Sequence, residues 1–138
     1  MDEPRTIWDP LRRKEVTLTP EERVRQWLIA VLRDIAHVPV HMMNSEVEMT
    51  FGEAGKTYRA DVLVFGKDGN PLAIAECKRP DVKITPAVLE QALRYDMVLR
   101  ARYLILTNGS DTRVAMRSDA GITFCDKLPS YEEMTKQI

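Results

Sequence analysis

The chain has 138 residues, of which 44% are hydrophobic and 30% are charged, and its formal net charge is -1. These values are typical of one soluble, globular domain and exclude a uniformly basic surface, so nucleic acid could be bound only by local basic clusters. Two cysteines exclude a disulfide framework and favour a reducing, cytoplasmic compartment. No apolar stretch approaches the roughly 20 residues that cross a bilayer, so no membrane association is expected.

Residues 1–18 are interpreted as an N-terminal arm, either with little structure of its own or folded as a short hairpin. Its basic run, Arg12–Lys14, is expected to be solvated surface rather than a phosphate contact. The rest of the chain, residues 19–138, is predicted to form one domain.

A helix is predicted to begin just after Thr19. Thr19 followed by Pro20 is a typical helix start, and Glu22 completes a capping box. The helix is expected to end near Ala36, because Pro39 follows. Apolar residues at helical spacing predict one buried face, made of Val24, Trp27, Leu28, Val31, Leu32 and Ile35.

The rest of the chain alternates between strand-like and helical segments. The order helix, three strands, helix, strand predicts an α/β domain built around one sheet. Residues 114–116 and 122–125 are weaker candidates for further strands. The predicted strands are 46–51, 58–65, 72–78 and 103–107, and the second helix begins at Thr85-Pro86 and ends at about residue 100.

The second and third strands are predicted to form a hairpin that places two carboxylates side by side. If Asp68 and Gly69 form a two-residue turn, Asp61 pairs with Glu76 and Lys78 shares their face. Facing carboxylates repel, so the pair is expected where a cation compensates, and Mg²⁺ or Mn²⁺ would bind carboxylate oxygens. The alternative is a solvated face with an ordinary Glu-Lys pair. Two further pairs follow from the same register: Phe65 with Leu72, and Leu63 with Ile74.

The opposite face of the third strand carries the small residues Ala73, Ala75 and Cys77, which suit close packing of a helix. Cys77 is therefore interpreted as a packed small hydrophobe rather than a reactive thiol.

Two further positions on the helices are candidates for the site. Glu21 leans towards the apolar face of the first helix, where an unpaired carboxylate is costly, so it is a hypothetical third metal ligand. The alternative is a first-turn acid that complements the helix dipole. Gln91 and Tyr95 share one face of the second helix, because they are four residues apart. Periodicity alone does not distinguish a supporting role from a surface Gln beside a packed Tyr.

These residues resemble a known nuclease motif. Asp61 followed by Glu76-Cys-Lys78 resembles the PD-(D/E)xK motif, and Gln91-x-x-x-Tyr95 resembles the extra motif of type I restriction enzyme R subunits and RecB-like nucleases. The segments 19–25 and 103–109 are similar to the helix and strand that flank the core in the R-subunit N-terminal family.

The resemblance implies a restriction-endonuclease-like core with a four-stranded mixed sheet flanked by helices, in the order α-β-β-β-α-β. It also implies Mg²⁺-dependent hydrolysis of DNA phosphodiester bonds. The implied metal ligands are Asp61, Glu76 and Glu21, Lys78 would act on the attacking water, and Gln91 and Tyr95 would support the site or contact DNA.

The chain departs from the family in two ways. Ala60 stands where the motif name has Pro, and the chain has neither a Walker motif nor room for a translocating motor. We therefore expect a free-standing relative, a fragment, a homodimer, or a partner of a separate motor or specificity protein. The alternative to a metal-dependent deoxyribonuclease is a non-catalytic nucleic-acid or protein-binding module that retains the fold. Hydrolysis of another phosphate ester lacks support from a glycine-rich phosphate loop.

Overall fold

In the computed structural model, which describes residues 4–51, 55–99 and 101–136, a six-stranded mixed sheet lies between helices. A two-stranded hairpin precedes the first helix. The elements are β1 (Thr6–Asp9), β2 (Lys14–Thr17), α1 (Pro20–Asp34), a 3₁₀ turn (Val40–Met42), β3 (Met43–Phe51), β4 (Lys56–Phe65), β5 (Pro71–Cys77), α2 (Pro86–Leu99), β6 (Tyr103–Thr107), β7 (Thr112–Ser118), β8 (Gly121–Cys125) and α3 (Tyr131–Lys136).

The strands of the large sheet follow their order in the chain, from β3 at one edge to β8 at the other. Only β5 and β6, among the pairs the structure describes, run parallel, and α2 connects them. The predicted α/β class and mixed sheet are confirmed, but the predicted strand number of four is wrong. The weaker candidates form β7 and β8, which extend the sheet by antiparallel pairing beyond β6.

Helices pack on both faces of the sheet. On one face α1 and α3 share a core with β4, β5 and β6. On the other face Ala92 of α2 packs with Leu104 and Leu106 of β6 and with Ala115 of β7. No helix in the described ranges has the length and apolar content that a bilayer crossing requires.

The buried face of α1 is rotated from the predicted one. Val24, Leu28 and Leu32 are buried as expected, but Trp27 and Ile35 are exposed, and the helix ends at Asp34. A prediction from the apolar residues alone misplaced the buried face of α1, because polar side chains occupy part of that face. The buried polar residues of α1 are Glu22, Arg25 and Gln26.

The turn between β4 and β5 differs from the predicted two-residue turn. The N–H of Gly66 donates to the carbonyl of Asn70 at 2.8 Å, so the loop is one residue longer than a turn of Asp68 and Gly69 alone. Gly69 has a φ of 83°, which closes this kind of loop in the left-handed region.

A bulge in β5 restores the predicted register. Phe65 pairs with Pro71 rather than with Leu72, and Leu72 is the extra residue of the bulge. The longer loop and the bulge shift the register in opposite directions. Leu63 therefore pairs with Ile74, as predicted.

The N-terminal arm forms a hairpin of β1 and β2 that packs beside α1. Asp9 is fully buried at its end and accepts hydrogen bonds from Leu11 N–H, from the Arg12 guanidinium and from Ser45 Oγ. Arg13 is exposed, but Arg12 is not the solvated surface residue that the sequence predicted. It pairs with buried acids instead.

The last helix, α3, follows β8 and was not predicted from the sequence. Tyr131 anchors it, because its hydroxyl donates to the carbonyl of Phe65 at 2.8 Å and its N–H donates to Ala36 O at 2.7 Å. Met134 is fully buried against the core. The helix thereby ties the end of β4 to the segment after α1.

We expect Leu32→Ala to lower the free energy of unfolding by about 2–5 kcal/mol, because it leaves a cavity under a side chain that is 0% exposed. Ile35→Ala is the matched control, since Ile35 is 69% exposed, and it should change stability by less than about 0.5 kcal/mol. Urea unfolding followed by circular dichroism measures both. Equal losses would show that the two residues lie on one buried face.

Candidate active site

Asp61 lies where the pairing of β4 with β5 ends, and the last pair before it is Val62 with Ala75. Its side chain continues the connection between the strands. Oδ2 accepts from Cys77 N–H at 2.7 Å, and Oδ1 accepts from Arg25 Nη2 at 2.9 Å. One carboxylate therefore joins β4, β5 and α1.

This arrangement interrupts the alternation of side chains along β4. Leu63 and Ile74 pack together in a cluster away from α1, whereas Asp61 reaches the Arg25 side chain of α1. Glu46, opposite Asp61 in the register of β3, has a positive φ of 53°. The prediction that Asp61 shares a face with Leu63 and Ile74 is wrong, because the strands depart from regular geometry at this point.

Glu76 and Lys78 lie at the end of β5 and form an ion pair, with Lys78 Nζ 3.0 Å from Glu76 Oε1. The N–H of Lys78 donates to the carbonyl of Thr107 at 2.8 Å, which fixes the backbone beside β6. Cys77, between them, donates to Asp61. This hydrogen bond places the Asp61 carboxylate against the backbone between Glu76 and Lys78, at one corner of the sheet, although Asp61 lies on the α1 side.

The small residues of β5 pack against α1, as predicted. Ala73, Ala75 and Cys77 are all buried in the same core as the α1 leucines. Burial, together with the nearby charge of Asp61, raises the pKa of the Cys77 thiol. Cys77 is therefore a protonated packing residue rather than a nucleophile, which confirms the interpretation from sequence.

Arg25 carries the positive charge at the centre of this corner and is only 4% exposed. Besides Asp61, its guanidinium contacts Glu22 and Glu46, each 3.0 Å from Nη1. Burial by itself would lower the pKa of Arg25, but the charges of Asp61, Glu22 and Glu46 outweigh it and raise the pKa. The arginine therefore stays charged inside the protein.

Glu22 is buried and holds Arg25 from the other side. Its Oε1 accepts from Arg12 Nη2 at 2.6 Å and from Arg25 Nη1 at 3.0 Å, and its Oε2 accepts from Gln26 Nε2 at 3.0 Å. The predicted capping box is half formed. Thr19 Oγ1 accepts from Glu22 N–H at 3.0 Å, but the Glu22 carboxylate turns to the arginines instead of capping the helix.

Glu21 is the more exposed of the two acids, the reverse of the predicted orientation, and its side chain is 47% exposed. The β1–β2 hairpin supplies Arg12 to Glu22 and covers that side of α1. The carboxylate of Glu21 nevertheless stays near Asp61. Its Oε1 lies 3.7 Å from Arg25 Nη2, the atom that also donates to Asp61.

Burial raises the pKa of Asp61, and this effect exceeds the lowering by Cys77 N–H and by the Arg25 charge. The charge of Glu21 adds to the increase. The ionised form of Asp61 is therefore less stable than that of a solvated aspartate. A further positive charge near its oxygens would stabilise the ionised form.

Sequence comparison identifies the family of the chain. A family model described as the type I restriction enzyme R protein N terminus (HSDR_N) matches residues 20–129. The chain belongs to the HSDR_N family. The resemblance inferred from the sequence motifs is thereby confirmed. No curated protein sequence matches the chain.

The HSDR_N chain also resembles two solved structures. A fragment assigned to an HsdR subunit of a type I restriction enzyme from Vibrio vulnificus YJ016 has 19% identity and a TM-score of 0.65. That match covers 86% of this chain but only 25% of the Vibrio chain. A protein from Anabaena variabilis ATCC 29413, assigned as a nuclease of DUF820, has 14% identity and a TM-score of 0.51. That match covers 98% of this chain and 92% of the Anabaena chain. Likeness at these identities shows a shared fold.

The remaining predicted residues of this HSDR_N domain lie on α2. Gln91 is exposed there, and the side chain of Tyr95 lies outside the described residues. Within the ranges that the structure describes, no three His, Cys, Asp or Glu side chains form a metal-binding group.

The central role of Arg25, Glu22 and Glu46 was not predicted from the sequence. One signal was present, because Arg25 lies three residues before Leu28 and four before Ile29, and such spacing puts a residue on the buried face. A charged residue in that stripe must have buried partners. The positive φ of Glu46 had no sequence signal of its own.

We expect Glu22→Gln to destabilise the fold by about 3–5 kcal/mol, because it removes the buried charge that pairs with Arg12 and Arg25. Glu90→Gln is the control, since Glu90 pairs with Arg94 on an exposed helix face and such pairs contribute little. Denaturant unfolding gives both free energies. If the two variants were equally stable, the buried contacts would not support the fold.

Proposed function

We propose that the protein hydrolyses DNA phosphodiester bonds with a divalent metal ion held at the corner of Asp61, Glu76 and Lys78. The observation that supports the proposal most is the hydrogen bond from Cys77 N–H to Asp61 Oδ2. It joins an acid of β4 to the backbone between the acid and the lysine of β5. The bond thus ties one acid of the PD-(D/E)xK pattern to the strand that carries the other acid and the lysine.

The donor set fits a hard cation. Asp61 and Glu76 supply carboxylate oxygens, which Mg²⁺ and Mn²⁺ prefer. Both side chains are partly buried, and burial disfavours the ionised form of Asp61, so a bound cation would offset that cost. Glu21 is the proposed third ligand, because its carboxylate already shares the Nη2 atom of Arg25 with Asp61.

When bound, Mg²⁺ lowers the pKa of a coordinated water and stabilises charge on the phosphate. The chain's own groups supply orientation and charge. Lys78 lies beside Glu76 with its ammonium 3.0 Å from the carboxylate, so it could exchange that partner for the attacking water or a phosphate oxygen. Asp61 is held by two donors, so its oxygens stay in one position during the reaction. Gln91 and Tyr95 are proposed to contact DNA or support the site from α2.

The substrate and partners are proposed from the family. HSDR_N is named for the R protein of type I restriction enzymes, which supports DNA as the substrate. The chain spans only about a quarter of the length of the Vibrio chain. From the family we propose a motor or specificity protein, or a second copy of the chain, as its partner.

A non-catalytic binding module is the second candidate. It is favoured by the partners of the acids, because Asp61 is paired with Arg25 and Glu76 with Lys78. Such a module would bind DNA in a salt-dependent manner and cleave none with any metal.

We expect Lys78→Ala to lower metal-dependent cleavage by at least about 10²-fold while the melting temperature stays unchanged. Supercoiled plasmid and single-stranded DNA are incubated with purified protein and Mg²⁺, Mn²⁺ or EDTA. Lys136→Ala, which removes an exposed lysine of α3, should cleave like the wild type. Full activity of Lys78→Ala would rule out its role, and a folded wild type that binds DNA but never cuts it would favour the binding module.

We expect Glu21→Gln to weaken Mn²⁺ binding and to leave the fold intact, because Glu21 is half exposed and near Asp61. Isothermal titration of the protein with Mn²⁺ measures the dissociation constant without DNA. Glu132→Gln, another exposed first-turn acid, is the control. An unchanged dissociation constant would remove Glu21 from the metal site and leave it as a helix-dipole residue.

A further inference from the structure

We infer that Arg25 is a positioning residue that sets the Asp61 carboxylate in the orientation that receives a divalent cation. The inference rests on the proposed function, since it concerns the same acid. It goes further because it assigns a role to a residue of α1 outside the acid-acid-lysine pattern.

The Arg25 guanidinium divides its two terminal nitrogens between Asp61 on one side and two glutamates on the other. Nη2 donates to Asp61 Oδ1 at 2.9 Å, while Nη1 lies 3.0 Å from both Glu22 and Glu46. Nε is buried and has no hydrogen-bond partner among the described residues. An unpaired buried donor is costly. The orientation of the guanidinium is thus dictated by the acids that its two terminal nitrogens reach.

Arg25 is also held on the side away from Asp61. Glu22, which binds Nη1, is itself held by Arg12 Nη2 at 2.6 Å and by Gln26. Arg12 is anchored by the fully buried Asp9 at the end of β1. A chain of charged groups therefore extends from the N-terminal hairpin to Asp61. Each member has its position fixed by the one before it.

The two donors that hold Asp61 use only part of the acceptor capacity of its carboxylate. Arg25 Nη2 occupies one site on Oδ1 and Cys77 N–H occupies one site on Oδ2. A carboxylate oxygen can accept two bonds, so each oxygen keeps one further site among the contacts of the described residues. The two donors fix the carboxylate without saturating it. This is the state in which a metal ligand is preorganised.

The carboxylates around Arg25 outnumber the positive charges beside them. Three carboxylates contact its guanidinium and Glu21 lies 3.7 Å away, so a single positive charge serves four acids. Arg12 adds a second cation beside Glu22 and Glu46, and Arg59 adds a third beside Glu46, so three arginines face the four acids. The corner therefore keeps an excess of negative charge with Arg25 in place, and the arginine does not exclude a second cation.

A lysine cannot replace this function. Its ammonium is a single point, whereas the planar guanidinium donates from two separated nitrogens in a fixed geometry. Arg25→Lys keeps the charge but cannot hold Asp61 and Glu22 in their relative positions. Arg25→Gln keeps a donor for Asp61 but removes the charge. The two variants separate geometry from charge.

The test measures Mn²⁺ binding by electron paramagnetic resonance in the absence of DNA, with the melting temperature as the check on folding. Loss of an outer partner of a metal ligand typically costs about 10–100-fold in affinity. We expect that loss for both Arg25→Lys and Arg25→Gln, and partial recovery of cleavage by Arg25→Lys at high Mn²⁺. Arg33→Lys, on the exposed side of the same helix, should bind Mn²⁺ like the wild type.

Folded Arg25 variants that bind Mn²⁺ as tightly as the wild type, or more tightly, would overturn the inference and leave the proposed function standing. A wild type that binds no Mn²⁺ would overturn both. If neither variant folds, a crystal structure of the wild type with Mn²⁺ decides. Retention of the bond between Arg25 Nη2 and Asp61 Oδ1 beside the metal supports the inference, and its loss overturns it.

Discussion

The Asp61 carboxylate holds three elements together at the point where the backbone ladder between β4 and β5 stops. Cys77 N–H would lack a strand partner there, and Asp61 Oδ2 accepts its hydrogen bond at 2.7 Å. The other oxygen pairs with Arg25, which fixes α1 against the sheet. Fold and candidate site therefore depend on one side chain.

The buried charges beside Asp61 are better explained by the fixed positions that they give to their partners than by a contribution to folding stability. Removing ions such as Arg25 and Glu22 from water is expensive, and well-packed apolar residues often stabilise a protein as well or better. Removing one partner from such a network nevertheless costs free energy, because a buried charge is left unpaired. The charged groups are therefore held in a single geometry. The β1–β2 hairpin is part of this geometry, because Arg12 pairs with Glu22. A mobile arm would not supply that contact.

Much of the β4–β5 hairpin could be predicted from the sequence, partly because two errors cancel. The Asp68-Gly69 signal located the turn correctly, but the predicted loop was one residue too short. The bulge at Leu72 shifts the register by one residue in the opposite direction and so cancels this error. The pairing of Leu63 with Ile74 was right, while the face of Asp61 was wrong. A period of two describes regular strands only, and Asp61 lies where the strand pairing ends.

The sequence by itself determined the order of the elements from α1 to β6, the α/β class, the family motif and the packing role of Cys77. These follow from periodicity, turn residues and local spacing, which act within one element or between neighbours in the chain. Only the tertiary structure decided that Glu22 rather than Glu21 is buried, and that Arg25 meets Asp61. Both depend on how far α1 is rotated against the sheet and on the hairpin that covers its other side. Contacts between distant segments set that rotation, and no spacing within the helix specifies it.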